Sequence, residues 1–451
     1  MSQRVIQVEE RLPLLQTLPL SLQHLFAMFG ATVLVPFLFK VNPATSLLMN
    51  GIGTLIYLII SRGRIPAYLG SSFAFIAPTF AIMADPQLGY PAAQGGFIAF
   101  GIFFIIVSQV IRAAGISWID VVFPPAAMGA IVSVIGLELA PVAAQMAGLA
   151  GTVAEGSLFS TGQAVTVSLT TLGVIILSSV LLRGFLAVIP VLIGTVAGYL
   201  LALSMGIVDL QAVYQAAWFE PPHLYTPTFH LTAVMMMAPA FLVVLAEHIG
   251  HLVVTGNIVE RDLMKDPGLD RSLLGDGISN VLSGFIGATP NTTYGENIGV
   301  MAITRVYSVW VIGGAACIAV MISFCGKLAA MIRSIPTPVM GGVSLLLFGV
   351  IAAAGIRMLI EKRVDYTQSR NLILTALVLI TGVSGAAVKF GTVELKGMAL
   401  GTVVSVIISL SFALFQTFGL MQEAAPAVLE VDPQPSAPRP DGSSESLTTL
   451  H

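Results

Sequence analysis

Two stretches of the chain decide its fold: residues 66–78 read PAYLGSSFAFIAP, and residues 288–299 read ATPNTTYGENIG. Each stretch lies within an apolar run, yet each is a poor continuous helix, because Pro lacks a backbone donor and Gly tolerates non-helical backbone. Broken backbone inside a membrane has to face protein or a water-filled cavity, since lipid offers it no hydrogen bonds. We therefore predict a short extended stretch followed by a half-helix at both places, with the two half-helix N-termini meeting near the membrane midplane.

The composition of the whole chain places these stretches in a membrane protein. Of 451 residues, 56% are hydrophobic and only 10% are charged, whereas an ordinary soluble domain has roughly 25% charged residues. These values exclude a water-soluble globule of this length. The formal net charge of -3 gives no indication of a nucleic-acid partner. We predict an all-α polytopic membrane protein.

Fourteen apolar runs are candidates for membrane crossings. With the N-terminus placed in the cytoplasm, the cytoplasmic segments contain fifteen Lys and Arg residues and the outer segments contain five. This asymmetry follows the positive-inside rule and predicts that both termini are cytoplasmic. The predicted spans are residues 17–39, 44–61, 66–84, 91–111, 117–140, 164–182, 185–205, 231–259, 272–287, 289–304, 306–325, 335–356, 371–388 and 395–418.

An internal repeat relates the two halves of the chain. Residues 124–131 (PPAAMGAI) and 336–343 (PTPVMGGV) share a Pro-x-x-x-Met-Gly pattern, and each begins a predicted span. A weaker similarity relates Gln23-His24 in the first span to Glu247-His248 in the eighth. Seven spans separate the members of each pair, and because seven is odd, the two halves enter the membrane in opposite directions. This is the inverted repeat of many secondary transporters.

Three glutamates, Glu138, Glu247 and Glu296, lie well inside apolar spans. An ionisable group at that depth usually lines a cavity or pairs with another group. Glu247 and His251 are four residues apart and share one helical face, where a carboxylate and an imidazole can share a proton. Glu296 lies in a broken span, whereas we expect Glu138 to be an interfacial residue. His24 is either a member of the same network or a satisfied core histidine.

These groups suit a flat heterocycle. Two carboxyl groups, the aromatic ring of Phe73 and converging backbone amides offer acceptors, an aromatic face and donors together. Uracil fits this set, because it alternates N–H and C=O groups around a planar ring. A simple anion fits less well, since both carboxyl groups would first have to be neutralised. We interpret Cys317 and Cys325 as buried small hydrophobic residues, and we predict no metal site.

The motif that follows the second broken stretch resembles a family signature. Residues 296–305 read ENIGVMAITR, which matches Gln, Glu or Pro, then Asn-x-Gly, four variable positions, Thr, and a basic residue or Gly. This is the signature of the nucleobase–ascorbate transporter family, also called nucleobase:cation symporter-2. Residues 21–36, 66–76 and 246–259 also resemble that family, and most closely its bacterial proton-coupled uracil permeases. The resemblance extends over about residues 10–420.

The resemblance implies a domain organisation. Spans 1–4 and 8–11 form a core domain, spans 5–7 and 12–14 form a gate domain, and the protein is usually a homodimer. The implied boundaries are a cytoplasmic N-terminus (1–16), core segments (17–113 and 231–333) and gate segments (114–230 and 334–420), followed by a tail (421–451). This tail is rich in Pro, Ser and acidic residues, so we predict that it is disordered and cytoplasmic.

The resemblance also implies roles for individual residues. The two buried glutamates hold the base, two backbone amides bind its carbonyl groups, and a histidine assists in proton coupling. Relatives that carry purines commonly have Gln at the position of Glu296, so Glu at this position favours a pyrimidine. The implied substrate-binding residues are Glu247, Glu296, Phe73, Gly295, Tyr294 and Ser72, and the implied proton-coupling residues are Glu247, His251 and His24.

The predicted function is uracil:proton symport, which imports uracil across the bacterial inner membrane by alternating access. We expect a transporter and not an enzyme, with protons as the coupling ion and no other cofactor. The expected partners are the nucleobase, protons, the lipid bilayer and a second copy of the chain. A purine, xanthine or ascorbate carrier on the same scaffold and a passive channel remain alternatives. An anion transporter, or an intramembrane metalloenzyme using His24, His248, His251 and Glu247, is less favoured.

Overall fold

The computed structural model describes residues 5–152, 157–390 and 393–420. The predicted tail and Arg439 lie outside the described residues. The first half contains α1 (Leu14–Ala27), α2 (Phe29–Phe39), α3 (Pro43–Ile60), β1 (Leu69–Ser71), α4 (Ile76–Ala84), α5 (Gly89–Ala114), α6 (Ser117–Val122), α7 (Pro125–Met146), α8 (Thr161–Leu181), α9 (Pro190–Ser204) and α10 (Gln211–Gln215). The second half contains α11 (Leu231–Val259), α12 (Leu269–Ile286), β2 (Asn291–Thr293), α13 (Gly295–Thr304), α14 (Val309–Ser323), α15 (Gly326–Arg333), α16 (Thr337–Glu361), α17 (Ser369–Val383), β3 (Ala387–Phe390), β4 (Val393–Lys396) and α18 (Gly397–Thr417).

Each predicted span except the fifth coincides with a helix, a bent helix pair, or a strand followed by a half-helix. Seven helices in the described part of the chain are long and apolar enough to cross a membrane alone, and α1 with α2 forms a further span bent by 41°. The shorter apolar helices α9, α14 and α17 and the segment that ends in α4 add four spans. The less apolar α12 and the β2–α13 segment complete the fourteen. The predicted all-α polytopic membrane fold is confirmed.

Two local predictions are wrong, and one element was not predicted. The fifth span was expected to begin at residue 117, but the chain breaks between α6 and α7, because Pro124 disfavours the helical conformation for Phe123 before it. A β3–β4 hairpin, absent from the prediction, precedes α18. Cys317 was expected to be buried, but it is exposed on α14.

The packing follows the predicted inverted repeat. α3 and α12 have equal lengths, and α12 begins 226 residues after α3. α5 packs against α12, and α14, the counterpart of α5, packs against α3, the counterpart of α12. α7 and its counterpart α16 pack against each other, with Pro124 and Pro336 at their N-caps. Exchanging the two halves therefore reproduces the main helix contacts.

The two broken spans cross each other as a short antiparallel ribbon, which we call the β1–β2 crossing. Leu69 is opposite Thr293, and Ser71 is opposite Asn291. The ladder continues past both strands, because the Ser72 N–H donates to Pro290 O at 2.8 Å and the Tyr294 N–H donates to Tyr68 O at 3.0 Å. The predicted extended stretches in spans three and ten are thus present.

The helices pack in two groups. α1 to α5 contact mainly α11 to α14, whereas α7 to α9 contact mainly α16 to α18. The groups meet where α11 packs against α7 and α18, and where α2 packs against α9 and α16.

Candidate substrate-binding site

Two helix ends begin where the β1–β2 crossing stops. Phe73 opens the turn that leads into α4, and Gly295 opens α13. The preceding residues, Ser72 and Tyr294, occupy the N-cap positions and make no side-chain capping bond. Because the first amides of a helix have no partner within it, both helix ends present free N–H groups. The sequence-predicted pair Phe73 and Gly295 therefore occupies equivalent positions in the two repeats.

The two predicted glutamates lie beside these helix ends on different elements. Glu296 is in the first turn of α13, and Glu247 is on α11. Both are half-buried, as is Phe73, and Gly295 is exposed, although the surrounding interior is closely packed. α11 packs against α13, and His251, one turn after Glu247, contacts Thr293 just before α13. Within the described residues, no hydrogen bond to Glu247 is found, so its oxygens are available to a ligand.

His251 connects the helix of Glu247 to the second broken span. Its Nδ1 lies 3.0 Å from Thr293 Oγ1, at the end of β2. Its Nε2 would lie 3.3 Å from a Cβ atom at Gly295. Glycine at this position therefore leaves both the imidazole and the first amide of α13 accessible.

His24 approaches α13 from α1. It is buried, and the Asn297 side-chain amide donates to its Nδ1 at 3.1 Å and to its backbone oxygen at 3.2 Å. His24 thus contacts the residue that follows Glu296, whereas His251 contacts the residues that precede it.

Tyr294 and Ser72 differ in how they can reach a ligand. The Tyr294 hydroxyl donates to Ser71 O at 3.1 Å, and a Cβ atom at Gly70 would overlap its ring. Tyr294 therefore supports the β1–β2 crossing. The buried hydroxyl of Ser72 has no hydrogen-bond partner in the described part of the chain. Since buried polar groups are normally paired, this hydroxyl is available to a bound molecule.

One acidic residue was missed by the sequence analysis. Asp276 of α12 is fully buried, and its Oδ2 lies 3.0 Å from His248 Nδ1. His248 Nε2 lies 2.7 Å from Ser272 Oγ, which is 2.6 Å from the Tyr57 hydroxyl. Asp276 lies inside predicted span nine, so an acidic residue within an apolar run was the available signal.

The structure gives Glu138, which was expected to be interfacial, a hydrogen-bond partner. Its carboxylate accepts a hydrogen bond from the Met398 N–H at 2.9 Å, in the first turn of α18. Glu138 therefore joins α7 to the start of α18, away from the candidate site. An anion at a helix N-terminus is favoured by the free amides and the helix dipole.

A metal site finds no support in the arrangement of the histidines. His24, His248 and His251 contact different partners, namely Asn297, Asp276 and Thr293. Among the described residues, no three His, Cys, Asp or Glu side chains form a group that could hold a metal ion.

The fold and the site define a polytopic membrane transporter. The model of the permease family Xan_ur_permease matches residues 15–390, and the chain belongs to this family. It is 63% identical over 414 residues to the uracil permease of Escherichia coli (strain K12), covering 92% of this chain and 95% of that protein. It is 58% identical over 412 residues to the uracil permease of Paenibacillus larvae subsp. larvae, covering 91% of this chain and 97% of that protein.

Solved structures share the fold at low sequence identity. The transmembrane domain of the cyanobacterial bicarbonate transporter BicA matches with a TM-score of 0.58 and 15% identity, covering 90% of this chain and all (100%) of that chain. SLC26A9 matches with a TM-score of 0.65 and 12% identity, covering 89% of this chain and 66% of that one. The predicted family resemblance is confirmed, and the family is described as a permease family.

Proposed function

We propose that this protein is a uracil:proton symporter that imports uracil across the bacterial plasma membrane. The observation that carries the proposal is the placement of two half-buried carboxyl groups beside two free helix ends, with an aromatic residue at one of them. The identity of 63% and 58% to proteins named uracil permease supports uracil as the substrate.

In the proposed complex, each hydrogen-bonding edge of the base has a partner. The ring N–H groups donate to Glu247 and Glu296, and the carbonyl groups accept from the amides of Phe73 and Gly295. The Phe73 ring covers one face of the base, and the Ser72 hydroxyl adds a further polar contact. Tyr294 contributes by holding the crossing in place behind the site.

We attribute proton coupling to the two acids that would hold one base. Two charged carboxylates that bind the same base repel each other, and the bound base excludes the water that screens this repulsion. A proton on Glu247 removes the repulsion, and the neutral carboxyl group can still accept an N–H bond. We assign proton exchange with Glu247 to His251, and a supporting role to His24.

Transport requires that the loaded site change sides. We propose that the group α1 to α5 with α11 to α14 moves as a core domain against a gate of α7 to α9 with α16 to α18. We further propose a homodimer with cytoplasmic termini. Coupling requires that proton and base together favour one conformation over the other, because binding equally to both states shifts no equilibrium.

Uptake into proteoliposomes tests the proposal. Labelled uracil should accumulate when an inward proton gradient is imposed, and a protonophore should abolish the accumulation. Excess unlabelled uracil should compete strongly and excess xanthine weakly. Accumulation that persists without the gradient contradicts coupling, and stronger competition by xanthine contradicts uracil as the substrate.

A further inference from the structure

The β1–β2 crossing leaves backbone groups on its outer edges that need partners. In a two-stranded antiparallel ribbon, alternate residues direct N–H and C=O away from the partner strand. Leu69 on β1 and Asn291 on β2 are such residues, and both are buried. A buried backbone group without a partner costs free energy, so other elements have to bond to these edges.

Asn280 of α12 completes the edge of β2. Its Oδ1 accepts the Asn291 N–H at 2.6 Å, and its Nδ2 donates to Asn291 O at 3.0 Å. These are the two bonds that a neighbouring strand would make. Both side chains are fully buried, so water does not compete for the bonds.

Thr54 of α3 forms a corresponding hydrogen bond to the outer edge of β1. Its hydroxyl accepts the Leu69 N–H at 2.9 Å and donates to Asn50 O at 2.7 Å. Thr54 and Asn280 occupy the same position within the equivalent helices α3 and α12, and Leu69 and Asn291 are the first residues of their strands. In each repeat, a polar side chain at the same helix position therefore bonds to the first residue of the strand.

We propose that Thr54 and Asn280 are matched positioning residues, which hold the β1–β2 crossing and thereby place the amides of Phe73 and Gly295 for the substrate. The inference rests on the proposed uracil site. Each amide lies four positions after the strand residue that is held, so a shift of the strand is passed to the helix end. Binding groups need placement to within about 0.5 Å, so a small shift weakens binding.

The two positions differ in what lies behind them. Asn280 Nδ2 lies 2.9 Å from Asp276 Oδ1, and Asp276 is held by His248, the neighbour of Glu247 in the chain. In the first repeat, Asn50 occupies the position of Asp276, and its Oδ1 has no partner among the described residues. Only the second repeat, among the described residues, therefore links the β1–β2 crossing to the helix that carries Glu247. Changes at Asn280 should therefore alter how binding depends on pH, whereas changes at Thr54 should weaken binding equally at all pH values.

Four variants of the full-length protein test these roles, with uracil dissociation constants measured at one acidic and one alkaline pH. Thr54→Val removes the hydroxyl at nearly constant volume and should raise the constant about tenfold at both pH values, the loss of roughly one hydrogen bond. Thr54→Ser should bind like the wild type. Asn280→Leu should raise the constant about tenfold and change its pH dependence. Asn280→Thr keeps an acceptor for the Asn291 N–H and should bind more tightly than Asn280→Leu.

A control separates positioning from general destabilisation. Ser405→Ala removes a buried hydroxyl of α18, which has no partner in the described part of the chain, and it should leave uracil binding unchanged. Wild-type affinity in both Thr54→Val and Asn280→Leu overturns the proposal. The proposal is also overturned if the conservative variant Thr54→Ser binds uracil as weakly as Thr54→Val does. If Thr54→Val and Asn280→Leu fail to fold, weaker binding by Thr54→Ser than by Asn280→Thr overturns it.

Hydrogen exchange provides a readout that does not need the substrate. The amides of Leu69 and Asn291 should exchange slowly in the wild type and faster in Thr54→Val and Asn280→Leu, respectively. Unchanged exchange in these variants contradicts the positioning role even if uracil is not the substrate. Absence of uracil binding by the wild type, with the expected exchange, contradicts the proposed function alone.

Discussion

Neighbouring residues on α11 have separate tasks because of helical geometry. His248 uses both ring nitrogens, toward Asp276 and Ser272, and is buried against α12. Glu247 precedes it by one residue, about 100° around the helix, and is half-buried. His251 is one turn further along and contacts Thr293. The face with Glu247 and His251 is therefore the face available to a ligand.

At the residue scale, Glu247→Gln should weaken uracil binding by about tenfold or more and remove most of its pH dependence. The amide cannot take up or release the proton on which binding depends, and it has two N–H donors to pair where a protonated carboxyl group has one O–H donor. Equilibrium binding of labelled uracil across a pH series measures both effects.

The matched control is Glu138→Gln, the same change at the acid that bonds to the Met398 N–H in the other group of helices. The glutamine oxygen can still accept that bond, so affinity and its pH dependence should stay at the wild-type level. A Glu247→Gln protein with wild-type affinity and an unchanged pH profile would contradict the assignment of Glu247 as a binding and proton-coupling residue.

At the element scale, α13 is a helix whose first residues have to stay accessible. Two of its glycines have opposite surroundings. A Cβ atom at Gly295 would lie 3.3 Å from His251 Nε2, whereas one at Gly299 would have no heavy atom within 4 Å. Gly299 therefore tolerates a side chain, and Gly295 does not without a shift of the imidazole.

Gly295→Ala should raise the uracil dissociation constant at least about fivefold, because the methyl group crowds His251 and the first amide of α13. Gly299→Ala makes the same chemical change one turn later and should bind uracil like the wild type. Isothermal titration of the two proteins compares them directly. Equal affinities for both would show that the start of α13 does not touch the substrate.

A second element-scale feature is the N-terminal segment, residues 5–10, which extends along the start of α14. The Ile6 N–H donates to Arg305 O at 2.9 Å, and the Val309 N–H donates to Val8 O at 2.9 Å. Glu9 forms an ion pair with Arg261 at the end of α11. The Arg261 guanidinium, through its hydrogen bond, lowers the pKa of the Glu9 carboxyl group below its ordinary value.

Because the pKa of Glu9 is lowered when the segment is docked, the ion pair stabilises docking above the unfolded-state pKa and ceases to do so as pH falls through the folded-state pKa. The contribution should be less than about 1 kcal/mol, since both groups are partly exposed. Glu9→Gln should therefore speed hydrogen exchange in residues 5–10 modestly at neutral pH.

Arg261→Gln should have the same effect, and combining the two changes should add little, because each removes the same pair. Additive effects of the two substitutions would indicate that Glu9 and Arg261 act independently.

At the scale of the whole molecule, the two groups of helices meet closely at α2 and α9. A Cβ atom at Gly30 of α2 would lie 3.6 Å from the Cβ atom of Val191 on α9. This separation falls in the range of about 3.5–4.5 Å that a disulfide bridges. The position therefore allows a covalent link between the proposed core and gate domains.

Gly30→Cys combined with Val191→Cys, in a chain with Cys317 and Cys325 replaced by Ala, should lose uracil uptake on oxidation and regain it on reduction. Movement of the core against the gate requires these helices to separate, whereas binding from the open side does not. Uptake and binding in proteoliposomes measure the two properties.

The control pair is Ile60→Cys with Gly275→Cys, which links α3 to α12 within one group, where the Cβ atoms would also be 3.6 Å apart. This bridge should leave uptake intact. Full uptake by the oxidised Gly30–Val191 pair would contradict relative movement of the two groups.

The sequence by itself determined the membrane class, the fourteen segments, the inverted repeat and the two interrupted crossings, because hydrophobic length and the conformational limits of Pro and Gly act locally along the chain. It also pointed to Glu247, Glu296 and His251, since a charge within an apolar run is visible without a partner. Only the tertiary structure decided what each polar group bonds to. The pairing of Asp276 with His248, the bonds from Thr54 and Asn280 to strand edges, and the bond from Glu138 to the Met398 amide join elements far apart in the chain. Their physical basis is the need to satisfy each buried donor and acceptor, and this is fixed by packing rather than by local sequence.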